Sequence, residues 1–318
     1  MVACHRVSII FAMFSTLSWT QASVPSRIEI APNVFMPQMS MNAHNASSQW
    51  IQVAKDNGMN LIGMDWAFDY GEAGARVLGE AMRKSGVPRS QFFLTSRVPC
   101  CPKDMSRWPF LKYPGCNHSR DTIADYRSSL EWFGVDYVDL LLLHFSCDRY
   151  DDTLRTWRAM ESFAVSGTAR AIGVSNYNEE DIDQLMKDAV IKPAVNQAGY
   201  AIGSPGNATL GRDAGTIKRC RELNITYEAY GVFGEPHATA PTSAVDIMHH
   251  PTVVKVAQHH NVSTAQVAAR WVVQQGMAFV ASSANPVHMQ GDLQIFDFQL
   301  SESEILELSA VRKVEITV

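Results

Sequence analysis

Eight short apolar segments alternate with polar segments of helical character along most of the chain. A regular strand–helix alternation is typical of parallel sheets, and eight repeats are enough to close a sheet into a barrel. We therefore predict the α/β class and a (β/α)8 TIM barrel of parallel strands with outer helices. An open doubly wound sheet is the alternative, but the glycine-rich turn that usually follows its first strand is missing. The predicted strands cover residues 35–41, 61–66, 92–98, 138–145, 171–175, 193–197, 225–230 and 279–282.

The composition limits the partners of such a barrel. The chain has 318 residues, of which 46% are hydrophobic, and carries a net charge of −5. A nucleic acid or an anionic membrane surface would require clustered Lys and Arg, which the sequence lacks. The composition therefore argues against either as the main partner.

The first 22 residues resemble a secretory signal peptide. An early arginine precedes an apolar run from Val7 to Trp19, and small residues follow at Thr20 and Ala22. The run is too short and too rich in Ser and Thr for a comfortable membrane span. We expect a signal peptide over residues 1–22, a single barrel domain over 23–318 and no membrane span after cleavage.

Five N-glycosylation acceptor sequences agree with this route. They begin at Asn45, Asn117, Asn207, Asn224 and Asn261. Together with the leader they predict a glycoprotein of the secretory pathway, either in the lumen of the endoplasmic reticulum or secreted.

The cysteines leave two interpretations open. After leader removal five cysteines remain, and their spacing matches no zinc pattern, so no metal site is predicted. Cys100 or Cys101 could pair with Cys116 or Cys147, since all four follow neighbouring strands. Free, partly buried thiols are the other possibility.

Polar side chains recur where the predicted strands end, and in a barrel these ends meet in one mouth. The set combines a carboxylate, a phenol, a cation and an imidazole with amide and hydroxyl groups. Its members are Asp65, Tyr70, Arg97, His144, Ser175, Asn176, Gln197 and Tyr230.

Three motifs at these positions resemble those of the aldo-keto reductases. They are MDWAFDYGEAG at residues 64–74, DYVDLLLLH ending at His144, and IGVSNYN at residues 172–178. The likeness continues from about residue 28 to residue 308. It implies hydride transfer between a nicotinamide cofactor and the carbonyl or hydroxyl group of a small molecule.

The resemblance also implies a role for each residue of the mouth. Tyr70 would donate the proton, since a nearby cation can lower the pKa of a phenol. Asp65 would hold that cation, and His144 would orient the carbonyl. Ser175, Asn176 and Gln197 would bind the carboxamide, and Tyr230 would stack under the nicotinamide ring.

The sequence departs from the family pattern at the catalytic cation and at the adenosine end. Arg97 stands where the family has a lysine, and its planar, permanently charged fork differs from a compact ammonium. Ser282, Ser283 and His288 stand in the segment where the family grips the 2′-phosphate of NADPH with a lysine and an arginine. NADPH is expected from the resemblance, with a weakened grip that would also admit NADH.

Two functional interpretations follow. The first is an NAD(P)H-dependent oxidoreductase that reduces a carbonyl of a small apolar or secondary-metabolite substrate. The alternative is a catalytically altered pseudoenzyme, or a cofactor-independent acid/base enzyme that uses Tyr70 and His144 in the same barrel mouth.

Overall fold

A computed structural model describes residues 27–42, 46–66, 71–100, 121–203, 212–234 and 246–311. Eight parallel strands form a closed barrel, in which each strand pairs with the next one along the chain and the last pairs with the first. The (β/α)8 prediction is confirmed. The barrel strands are β3 (Met39–Asn42), β4 (Ile62–Asp65), β5 (Phe92–Val98), β6 (Val138–Leu143), β7 (Ala169–Ser175), β8 (Val195–Gly199), β9 (Thr226–Tyr230) and β10 (Ala278–Ala281).

Ten α-helices are found among the described residues, on the outside of the barrel. They are α1 (Ser47–Asp56), α2 (Gly71–Lys84), α3 (Thr122–Phe133), α4 (Tyr150–Ser166), α5 (Glu179–Asp188), α6 (Ala214–Glu222), α7 (Pro251–His260), α8 (Thr264–Gln274), α9 (Pro286–Leu293) and α10 (Glu302–Ser309). No helix in the described ranges combines the length and apolar character needed to cross a bilayer.

Local sequence signals explain where several helices begin and end. The Asp121 side chain accepts hydrogen bonds from the backbone N–H groups of Ile123 and Ala124, and Gly134 ends α3 in the left-handed conformation. Capping boxes start α8 at Ser263 and α10 at Ser301. These caps satisfy backbone donors that the helix itself leaves unpaired.

The first predicted strand, residues 35–41, is wrong as a single element. The structure has two strands there, β2 (Val34–Pro37) and β3, and β2 pairs antiparallel with β1 (Arg27–Ala31) instead of joining the barrel. Pro37 has no N–H to donate, which suits the point where the chain leaves the hairpin for the barrel.

The β1–β2 hairpin closes the amino-terminal end of the barrel. Val34 and Met36 pack in one apolar cluster with Phe93, Val195 and Ala278, which lie at or near the starts of their strands. The larger core lies between the strands and the outer helices. Because this end is filled with apolar side chains, a functional site is expected at the opposite, carboxyl-terminal end, where barrels of this type carry their active sites.

Candidate active site

The predicted catalytic residues meet at the carboxyl-terminal end of the barrel. Asp65 ends β4, Arg97 is the penultimate residue of β5, and His144 directly follows β6. All three are buried, with exposed fractions of 1%, 4% and 9%. Tyr70 lies outside the described residues, so its role stays a prediction.

Arg97 is held by three oxygen atoms. One terminal nitrogen donates to the Asp65 carboxylate at 2.9 Å and also to the Gln197 side-chain oxygen. The other donates to the Trp66 carbonyl oxygen at 2.5 Å. A guanidinium can serve these divergent acceptors because its donors form a planar fork. Arg97 thus holds a buried positive charge in the position predicted for the catalytic cation.

Glu228 is a second buried carboxyl group of this network that was not predicted from the sequence. It accepts a hydrogen bond of 2.7 Å from the Gln197 side-chain nitrogen, which also donates to Asp65 at 3.0 Å. Burial raises the pKa of Glu228 to about 7, and the neighbouring Asp65 carboxylate acts in the same direction. A signal was present: Glu228 lies two residues before Tyr230 in β9, hence on the same face of the strand.

Gln197 therefore already donates both hydrogens of its amide inside the barrel. One goes to Asp65 and one to Glu228, and its oxygen accepts from Arg97. A carboxamide ligand could use only the remaining lone pair on this oxygen. The predicted contact between Gln197 and the cofactor stays a prediction, limited to acceptance of a hydrogen bond.

His144 occupies an apolar, electropositive position. Its ring stacks on Phe145 with 4.5 Å between ring centroids. Burial, together with the nearby Arg97 charge, holds the pKa of His144 well below its usual value. At neutral pH the imidazole is therefore uncharged and can orient a carbonyl oxygen by hydrogen bonding without protonating it.

The predicted nicotinamide ligands form one hydrogen-bonded group. Asn176 donates to the His144 carbonyl oxygen at 3.1 Å and accepts from the Tyr230 hydroxyl at 2.6 Å. The Ser175 hydroxyl donates to the Gln197 backbone oxygen at 2.8 Å. These amide and hydroxyl groups lie beside the predicted catalytic residues and match a carboxamide in donor and acceptor chemistry.

Arg212 is a further residue of the mouth that was not predicted from the sequence. Its guanidinium lies over the Tyr230 ring, 5.2 Å from the ring centroid, and donates to the Tyr230 hydroxyl at 2.5 Å. The side chain is buried, with 5% of its surface exposed. No signal in the sequence indicated this contact, because Arg212 belongs to no predicted strand and to no motif of the resemblance.

The predicted adenosine residues lie apart from this network, after β10. Ser282 and His288 are exposed, and Ser283 is half-buried. Ser283 accepts from the Asn285 backbone N–H at 3.1 Å just before α9 begins. The hydroxyls and the helix amino terminus suit an oxygen-rich ligand, but the permanent cations that grip a 2′-phosphate are missing from these positions.

A disulfide borders the mouth. Cys100 and Cys147 are bonded to each other, with 5.2 Å between their Cα atoms. One of the predicted pairings is therefore present. Cys101 and Cys116 lie outside the described residues, and Cys220 is a buried free thiol whose pKa burial raises to about 11.

Comparisons with known proteins agree with this geometry. The family model for the aldo/keto reductase family matches residues 34–313. An aldo-keto reductase of Mycobacterium sp. (strain MCS) is 30% identical over 82% of this chain and 80% of its own length. Morphine 6-dehydrogenase of Pseudomonas putida is 30% identical over 88% of this chain and 89% of its own length.

Solved structures have the same fold. An aldo-keto reductase from a Medee basin deep-sea metagenome library is 25% identical with a TM-score of 0.73, covering 90% of this chain and 95% of its own. A Bombyx mori aldo-keto reductase in complex with NADP has a TM-score of 0.72 at 22% identity, covering 91% of this chain and 93% of its own. The chain therefore belongs to the aldo/keto reductase family of oxidoreductases.

Proposed function

We propose that the protein reduces the carbonyl group of a small apolar or secondary-metabolite substrate with a nicotinamide cofactor, in the secretory pathway. The observation that carries this proposal is the buried pair of Arg97 and Asp65 at 2.9 Å, with the neutral His144 near the same cation. When bound, the cofactor supplies the hydride. The protein has to supply a proton and to stabilise the developing alkoxide.

Each step can be given to a residue of this chain. Asp65 and Gln197 fix the guanidinium of Arg97. In the family pattern Tyr70 stands next to this cation, which would lower the pKa of the phenol and ease proton donation. His144 would donate a hydrogen bond to the carbonyl oxygen and select its orientation.

The nicotinamide end fits this cofactor. Ser175, Asn176 and Tyr230 form a connected set of amide and hydroxyl groups next to His144. The Bombyx mori relative was crystallised with NADP, which supports a nicotinamide cofactor of either form. Because Ser282 and His288 add no permanent positive charge at the adenosine end, we propose that NADH binds at least as well as NADPH.

A calorimetric titration with NADPH and then NADH tests the proposal. We expect binding in the micromolar range, followed by carbonyl-dependent oxidation of the bound cofactor that is lost in Tyr70→Phe. No binding of either cofactor up to about 1 mM, an affinity worth roughly 4 kcal/mol, would overturn it. Tyr70→Phe is the matched control for the chemical step, since only one hydroxyl is removed.

One observation favours the second candidate, a cofactor-independent acid/base enzyme or a pseudoenzyme. Three internal acceptors already engage Arg97, so less of its charge is available to lower the pKa of Tyr70. Such a protein would fail the cofactor titration. An activity assay that does not follow nicotinamide absorbance would then be needed.

The proposed location has three supports. They are the signal-like leader, the five acceptor sequences and the disulfide between Cys100 and Cys147. Asn224 and Asn261 are exposed and lie in left-handed turns after α6 and α7, where a glycan has room. Asn45, Asn117 and Asn207 lie outside the described residues. Mass spectrometry before and after glycan removal tests all five positions, and an unmodified protein from a eukaryotic secretory host would contradict the glycosylation.

A further inference from the structure

Two histidines and a glutamate from two outer helices converge on one point of the surface. His259 and His260 end α7, and Glu304 lies in the first turn of α10. His259 Nδ1 is 2.8 Å and His260 Nε2 is 3.0 Å from the same oxygen, Glu304 Oε1. The three side chains each offer one ligand atom, and these atoms lie within 4.8 Å of one another. None of these residues belongs to the barrel mouth.

We propose that this cluster, the α7–α10 site, binds a divalent zinc ion. Two imidazole nitrogens and one carboxylate oxygen form a common ligand set for zinc, and imidazole selects zinc over magnesium and calcium. Zinc bonds of about 2.1 Å in a tetrahedron place neighbouring ligand atoms roughly 3.4 Å apart. The distances of 2.8 and 3.0 Å to Glu304 Oε1 are shorter than this by roughly 0.6 and 0.4 Å, which small side-chain rotations can provide.

Two of the three ligands are already fixed in place. Ser301 donates from its backbone N–H at 2.7 Å and from its hydroxyl at 2.8 Å, both to Glu304 Oε2. These bonds fix the carboxylate, whose two oxygens lie 3.0 and 3.1 Å from His260 Nε2. His260 is largely buried and lies 5.3 Å from the Phe298 ring, centroid to centroid. Fixed ligands lower the entropy cost of binding, and a partner that orients a ligating carboxylate strengthens a metal site.

The third ligand can adjust. The side chain of His259 is 73% exposed, so its ring can rotate without disturbing the core. Its exposure also leaves a side of the site open to water, which would take the fourth position. The bound ion would join α7 to α10, which the surface pair of Lys255 and Glu307 already links at 3.0 Å.

A similar contact elsewhere on the surface offers a matched control. His249 Nδ1 lies 2.8 Å from Asp246 Oδ2, the same distance as in the α7–α10 site, and both side chains are exposed. Among the described residues this pair is not part of a three-ligand cluster. It therefore reproduces the hydrogen bond between histidine and carboxylate without the converging ligands.

The test is a calorimetric titration of the full, tag-free chain with zinc chloride after treatment with a chelator. We expect one site of micromolar affinity that magnesium chloride does not occupy, and a zinc-dependent rise in the unfolding temperature. His260→Gln and Glu304→Gln should each weaken zinc binding at least tenfold, whereas His249→Ala should leave it unchanged. Glutamine at position 304 preserves the capping box of α10, so this variant is expected to fold.

Two results would overturn the proposal. One is the absence of zinc binding to the wild-type chain at zinc concentrations up to about 1 mM, since a dissociation constant of that size corresponds to a binding free energy of only roughly 4 kcal/mol. The other is binding that both Glu304→Gln and His260→Gln leave intact, which would place the ion elsewhere. Because the readouts are heat and unfolding temperature, they do not depend on the proposed reductase activity.

Discussion

The two ends of the proposed cofactor site differ in the burial of their side chains and in the number of charged groups. At the catalytic end, Asp65, Arg97, Gln197 and Glu228 are buried and joined by hydrogen bonds. At the adenosine end, Ser282 and His288 are exposed and carry no permanent charge. The contrast indicates that the charge proposed to assist proton transfer is buried and fixed, while the positions proposed to face a 2′-phosphate offer no permanent cation.

The largest expected effect is on the rate of carbonyl reduction, after a substitution at the proposed catalytic end. Tyr70→Phe removes the proposed proton donor and should lower the rate of carbonyl reduction about a thousandfold, since general acid catalysis contributes on the order of 10²- to 10⁴-fold. Initial rates with a carbonyl substrate measure this change. Unchanged cofactor affinity in the same variant serves as the control, and full activity would remove Tyr70 from its assigned role.

At the adenosine end, adding positively charged side chains should raise the affinity for NADPH. A Ser282→Lys plus His288→Arg variant adds two charge-assisted contacts worth about 1.5 kcal/mol or more each, so NADPH affinity should rise roughly a hundredfold. NADH affinity should not change, because that cofactor has no 2′-phosphate. Val287→Arg adds a cation at a neighbouring exposed position of α9 and is the matched control. A flat NADPH titration would show that the adenosine end binds elsewhere.

The pH dependence of stability tests whether Glu228 stays protonated in the folded protein beside Asp65. Its pKa is raised from 4.5 to about 7, so the native state keeps a proton that the unfolded state has lost, and stability falls as pH rises between these values. From pH 5 to pH 8 this should cost the wild type about 2 kcal/mol of unfolding free energy. Glu228→Gln should abolish that decline.

Urea unfolding at both pH values measures the difference. Glu131→Gln removes an exposed carboxyl group from α3 and should follow the wild-type curve. If the Glu228→Gln curve declines as steeply as that of the wild type, the buried carboxyl group is ionised throughout this range.

The smallest expected effect concerns the catalytic cation. Arg97→Lys should raise turnover about tenfold, a change of roughly 1.4 kcal/mol, because a compact ammonium restores the family geometry beside Tyr70. Steady-state rates measure it. Arg89→Lys is the control, since Arg89 also pairs with a buried aspartate, Asp139 at 2.8 Å. A lower rate in Arg97→Lys would indicate that the mouth is built around the three acceptors of the guanidinium.

The sequence predicted the barrel because its signal is repeated eight times, so errors at single strands do not change the topology. Strand 92–98 was predicted with the bounds that the structure gives, whereas 193–197 was placed two residues too early. Pro193 lies in the predicted strand but cannot donate to a ladder. The β1–β2 hairpin was missed because its pairing depends on the turn at Asn33, whose φ of 60° no strand pattern indicates.

The motifs predicted which residues lie in the mouth, but not the hydrogen bonds that join their side chains. The mouth residues that the structure describes lie at strand ends, as the motifs predict, while their roles stay predictions. That Gln197 would face Glu228 and Arg97, and not only a cofactor, follows from contacts between strands 31 and 100 residues apart in sequence. Such contacts depend on the curvature of the closed sheet, which no local pattern encodes.

The disulfide between Cys100 and Cys147 has a consequence for electron flow. It joins the loops that leave β5 and β6, the strands that position Arg97 and His144. Loss of the bond would free both loops, and an oxidising lumen, unlike the thiol-buffered cytosol, would keep them tied. A reductase that keeps this bond in an oxidising compartment would have to draw its reduced nicotinamide from the same compartment, so its turnover would depend on the local supply of that cofactor.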